Sequence, residues 1–233
     1  MRNKYLQLIA ACCVSLGLLL PVQAKENPTT RAMVQLQQAA TLLQQQRVAE
    51  ALPLVEGVLK TYRAQYGKTA EKIYTARWQT EALAYVAEAA HHQQKATVIE
   101  AVWSDAFYVQ GYALIEQGKL DAAAAALDEA LALAPYNAHY LNERATVELL
   151  RKDWAAARSR FADAATAAES YSPPELQTAE LTRAWRGLGY VAVEEGDLDA
   201  AERFYRRCLQ RDANDQRAAA ELDFVLKLKQ RLK

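Results

Sequence analysis

The chain has 233 residues with 28 basic and 28 acidic side chains. That balance leaves out the basic stripe that nucleic-acid binding calls for. A hydrophobic fraction of 52% with only 8 Gly and 6 Pro excludes a disordered or collagen-like chain and points to a folded, helix-rich one.

Met1-Arg2-Asn3-Lys4 is a short positive start, Tyr5 to Leu20 is largely apolar, and Pro21-Val22-Gln23-Ala24 offers a small-residue cleavage site. Residues 1–24 therefore read as a secretory signal peptide. Two alternatives stay open. A retained membrane anchor is one, although the apolar run falls short of the ~20 continuous residues needed to span. A lipoprotein is the other, since Ile9-Ala10-Ala11-Cys12 is similar to a bacterial lipid-attachment box. Cleavage after Ala24 predicts an exported protein, periplasmic in a Gram-negative bacterium. It removes Cys12 and Cys13 and leaves Cys208 as the remaining thiol, so no internal disulfide is available even in an oxidising compartment.

Residues 25–103 read as degenerate helical hairpins. Thr30 is placed to cap a first helix. Ala32 to Gln45 and Val48 to Tyr66 form the first pair, with Pro53 inside its second helix. Lys68 to His92 reads as another long helical stretch, in which Trp78, Ala82 and Tyr85 have the bulky, small and aromatic spacing of a packed helix. Lys95 to Trp103 holds Thr97-Val98-Ile99, β-branched residues that do not favour helix. A short second helix and an extended connector both remain open there.

From Ser104 the pattern sharpens. Ser104 to Asn137 is two helices broken at Gln117-Gly118-Lys119 and stopped at Pro135, with Phe107, Gly111 and Leu114 in the first helix and Ala123, Leu127 and Ala130 in the second. Small residues placed opposite large ones let two helices approach closely. This segment resembles a tetratricopeptide (TPR) repeat, a 34-residue helical hairpin. Ala138 to Tyr171 repeats the spacing with Leu141, Ala145, Ala157, Phe161 and Ala164, although Glu148 takes a usually apolar place. The next repeat starts at Thr182, ten residues late, after an insertion containing Ser172-Pro173-Pro174-Glu175. A capping box there predicts a lengthened helix. Trp185-x-x-Leu188-Gly189 is similar to the family's signature, and Ala201, Tyr205 and Cys208 complete the second helix. Asp215 to Lys233 reads as an amphipathic capping helix, which a solenoid requires. The expected fold is all-α: a TPR-like α-solenoid of antiparallel helix pairs, with residues 104–233 carrying three repeats plus the cap and continuing the 25–103 hairpins.

Chemistry-bearing patterns are missing. His91 and His92 have no carboxylate or cysteine at ligand spacing, so no metal site is expected. There is no phosphate loop, nucleophile elbow or zinc-protease helix, and adjacent acids such as Glu194-Glu195 point in different directions on a helix. No enzyme activity and no cofactor are predicted.

The resemblance instead implies a non-catalytic interaction scaffold whose first helices line a concave groove for a peptide or partner segment. Carried over by repeat place, the groove residues are Tyr108 and Tyr112 from the first strong repeat, with Asp105 and Glu116 beside them. His139, Asn142 and Thr146 come from the second, and Arg183, Arg186 and Tyr190 from the third, with Glu194. Arginine forks and tyrosine faces suit an extended acidic or polar peptide. A membrane-anchored or lipidated assembly factor is the alternative, and an envelope enzyme of helical-solenoid type the weaker one.

Overall fold

The computed structural model describes residues 27–232; the expected signal peptide, its cleavage site and Cys12 lie outside the described residues. In chain order the elements are α1 (Pro28–Gln44), α2 (Val48–Tyr66), β1 (Lys72–Ala76), α3 (Gln79–His91), β2 (Ala96–Glu100), α4 (Val102–Glu116), α5 (Leu120–Leu133), α6 (Ala138–Leu150), α7 (Trp154–Tyr171), α8 (Pro174–Glu194), α9 (Leu198–Arg211) and α10 (Gln216–Arg231). The hairpins α1–α2, α4–α5, α6–α7 and α8–α9 stack in sequence, α2 on α4, α5 on α6 and α7 on α8, and α10 closes against α9. The architecture is the all-α solenoid that the repeat spacing predicts.

Close approach within each hairpin comes from the small places. A Cβ at Gly111 would lie 2.7 Å from Cγ of Leu127, and one at Gly189 would lie 2.7 Å from Cζ of Tyr205. Ala145, Leu127, Tyr205 and Cys208 are buried with them. The turns between paired helices share one geometry. Gly118 (φ 70°) and Gly196 (φ 81°) adopt the left-handed conformation that glycine enters without a Cβ penalty. Lys119 then donates to the Leu114 carbonyl, and Asp197 to the Ala192 carbonyl, each at 2.9 Å.

Residues 68–92 are not one long helix. Lys72–Ala76 is a strand paired in parallel with β2, in register from Lys72↔Ala96 to Ala76↔Glu100, and α3 is the crossover between them. A parallel pair needs such a connection. The ambiguous Thr97-Val98-Ile99 stretch is thus extended. The repeat-like spacing of Trp78, Ala82 and Tyr85 serves another purpose: Tyr85 stacks on Tyr74 of β1 at 5.1 Å. Two further expectations change. Asn27, not Thr30, caps α1 by accepting from the Thr29 amide at 3.0 Å. The insertion does lengthen α8 to 21 residues, but Ser172 gives its hydroxyl hydrogen to Glu180 instead of forming a capping box.

Glycines at open and closed helical places should respond in opposite directions. Gly111→Leu should cost about 1–3 kcal/mol or more through overpacking against Leu127. A Cβ at Gly57 in α2 meets nothing nearer than the Gln35 side chain at 3.9 Å, so Gly57→Ala should gain up to about 1 kcal/mol of helix propensity. Urea unfolding of both variants checks the assignment; an unchanged midpoint for Gly111→Leu would contradict the packing.

Candidate functional site

The strand–helix–strand unit sits on the solenoid through buried polar groups. Arg77, following β1, donates to Glu81 of α3 at 2.6 Å and to Glu180 of α8 at 2.5 Å. Glu81 is fully buried and Glu180 nearly so. Trp78 donates its indole N–H to the Tyr171 carbonyl at 2.5 Å. A column of tyrosines runs alongside, Tyr85 to Tyr136 at 5.6 Å and Tyr136 to Tyr171 at 4.6 Å. Thr75 donates to Ser104 at 2.6 Å, and Tyr140 donates to Asp105 at 2.6 Å. Burial raises the Asp105 carboxyl above its ordinary range, and the Tyr140 bond partly offsets this. These contacts join the N-terminal ends of α4, α6 and α8.

The opposite stretch of the first helices carries two depressions. One, of about 290 Å³, is lined by Leu43 and Gln44 of α1 and by Tyr108 and Tyr112 of α4. The other, of about 410 Å³, lies between α6, α8 and α10 and is lined by Thr146, Arg183, Arg186, Tyr190, Arg217 and Glu221. The Tyr205 ring forms part of its wall. The Tyr205 hydroxyl is buried with no hydrogen-bond partner among the described residues. Between the two depressions Tyr108 packs on His139 at 4.6 Å.

Family models described as tetratricopeptide repeat match residues 108–173 and 182–215, the stretches that build α4 to α7 and α8 to α9. Over those two stretches the chain carries tetratricopeptide repeats. Solved structures of the same fold include pilF of Pseudomonas aeruginosa, 16% identical with a TM-score of 0.62 over 88% of this chain and 71% of that one. A MamA RS-1 double mutant aligns at 16% identity and a TM-score of 0.52, over 86% and 85%. BtubC from P. vanneervenii aligns at 15% and 0.50, over 86% and 83%. Identities this low show a shared fold alone. None of the curated proteins matches the chain.

The TPR groove places divide in the structure. Tyr112, Thr146, Arg183, Arg186 and Tyr190 line the depressions, and Tyr190 is 39% exposed. Asn142 does not present itself to a partner. It is fully buried and donates to the carbonyls of Ala138 at 2.9 Å and Glu180 at 3.0 Å, tying α6 to the lengthened start of α8. Asp105 is likewise turned to Tyr140. Nor are the arginines free charges: Arg183 pairs with Glu143 at 2.5 Å, and Arg186 pairs with Asp215, which caps α10. Each guanidinium carries five N–H donors, and only one or two are used here. Arg217 and Glu221, on the amphipathic capping helix, also line the second depression. Their four-residue spacing on α10 was the available signal.

Glu148 illustrates a compensated departure from the repeat. It is buried, which raises its carboxyl, but bonds from Arg144 and Arg151 outweigh that and hold it below its ordinary range.

His139 gives a pH signature. Burial, with Arg183 adding to it, pushes its imidazole from 6.5 down to about 4. Between those values the unfolded chain binds the proton more readily, so stability contributed by neutral His139 is complete above pH 6.5 and lost as pH falls toward 4. Thermal melts should therefore decline more steeply over this window for the wild type than for His139→Gln. Parallel curves would contradict the shielding of His139.

Proposed function

We propose that the chain is a non-catalytic interaction scaffold that holds an extended partner segment along the first-helix face, across Tyr112, Thr146, Arg183, Arg186 and Tyr190. The observation carrying this reading is the 410 Å³ depression between α6, α8 and α10, where flat aromatic surface and unused guanidinium donors converge. Because Arg183 and Arg186 are already neutralised by Glu143 and Asp215, their spare N–H groups suit backbone carbonyls or amide side chains of a polar segment better than a dense cluster of acids. Tyr190 supplies the rigid aromatic contact that dominates many interfaces. Tyr108 lines the α1–α4 depression beside Tyr112 and packs on His139. We further propose, from the N-terminal sequence pattern, that the scaffold is exported; a mature chain beginning at Lys25 is what that reading requires.

A photo-crosslinking residue placed at Tyr112 or Tyr190 should capture the same protein partner from native cells, while one at Ser159 on the outer helix α7 should not. Tyr190→Ala should weaken that partner by on the order of tenfold, as loss of an aromatic anchor does. Capture from Ser159 with none from the tyrosines would contradict the groove.

A further inference from the structure

A cleft of about 690 Å³ opens between the α1–α2 hairpin and the strand–helix–strand unit, outside the residues of the repeat matches. It lies at the carboxyl ends of β1 and β2, where Ala76 and Glu100 are register partners. That is where parallel strands leave a crevice for ligands. Its walls carry Tyr62 and Tyr66 of α2 and Trp78 at the start of α3. The aromatic faces are fixed in place: Tyr62 and Tyr66 stack on Trp103 at 5.9 and 6.0 Å, and the Trp78 N–H is committed to Tyr171.

The charges lining the cleft are Arg77 and Glu100. Arg77 is held by two carboxylates, Glu81 and Glu180, so that cluster is negative as a whole. Glu100 is exposed and has no ion pair among the described residues. It acts on Tyr62, whose hydroxyl is raised by burial first and by the Glu100 charge as well. A carboxylate beside fixed aromatic faces favours a cation, through charge and through the ring quadrupole.

The adjoining strand suggests what carries the cation. β2 pairs with β1 on one side, and among the described residues no strand lies on its other side. Its Val98 and Ile99 border the cleft. An edge of unpaired backbone groups is a template for an added strand. The helices on either side leave apolar side chains exposed: Met33 and Val34 on α1, Leu83 and Val86 on α3. An extended chain presents alternate side chains to opposite faces, so one set can meet this apolar rim while the other enters the cleft.

We infer that this cleft binds an extended, basic partner peptide that adds along the free edge of β2 and places a lysine or arginine side chain between Glu100 and the Tyr62, Tyr66 and Trp78 rings. The site is separate from the first-helix groove and stands without it.

The test titrates the whole chain with a short blocked peptide of alternating valine and lysine, and with its counterpart in which glutamate replaces lysine, by calorimetry at low and high salt. The lysine peptide should bind on the order of tenfold more tightly than the glutamate peptide, an electrostatic preference that salt weakens. Glu100 is exposed, so Glu100→Gln should fold normally and lose most of that preference. Bound lysine peptide should also slow amide exchange in residues 96–100. Equal binding of the two peptides, or an undiminished preference in Glu100→Gln, would overturn the cation site. Binding without protection of β2 would overturn the strand addition.

Discussion

The guanidinium of Arg77, gripped by Glu81 and Glu180, is the contact on which the particular form of this protein depends. It joins side chains that are 103 positions apart, with both carboxylates buried and Arg77 itself about 15% exposed at the cleft. Burying three charges is costly, and the arrangement holds because each carboxylate has further donors: the Arg77 amide for Glu81 and the Ser172 hydroxyl for Glu180. Removing one member of such a cluster strands the others, which costs more than the intact cluster contributes. The tyrosine column from Tyr74 to Tyr171 adds apolar area and ring stacking beside it. Together they fasten a two-stranded sheet, marginal by itself, to α8, to the end of α7 and to the turn between α5 and α6.

Two irregularities of the repeat pattern are therefore one feature. The loss of register between residues 68 and 103 makes the strand–helix–strand unit, and the ten-residue insertion before Thr182 makes the extra turns of α8 that carry Glu180. Lys72 adds a third anchor by donating to the Ala132 carbonyl at 3.0 Å, near the negative end of α5. The repeat matches cover 108–173 and 182–215 and leave out both interlocking pieces. The shared fold explains the groove face; the clamp explains why there is also a cleft between the α1–α2 hairpin and the strand–helix–strand unit.

What was legible in the sequence follows from the range of the interactions. Gly111 against Leu127 and Gly189 against Tyr205 are contacts within one hairpin, so spacing alone revealed them. The pairing of β1 with β2 is set by partners well separated in sequence, and the isolated Lys72–Ala76 strand is too short to show its own period. Tyr85 matched a repeat place by coincidence of size and spacing. Among groove residues, Tyr112, Thr146, Arg183, Arg186 and Tyr190 fell on the expected face because repeat place fixes orientation on a helix. Asn142 was misplaced because the lengthened α8 brings the Glu180 carbonyl over it, a neighbour that an uninterrupted repeat would not have. Ion pairing was equally hidden: nothing local announces that Arg186 is spent on Asp215.

Hydrogen exchange in an Arg77→Met chain tests the clamp most directly, since methionine keeps much of the volume and removes the charge. Faster exchange throughout residues 72–100 and in the first turns of α8, with α9 and α10 unchanged, is the result this account requires. Exchange in residues 72–100 indistinguishable from the wild type would show that the strand–helix–strand unit is held in some other way.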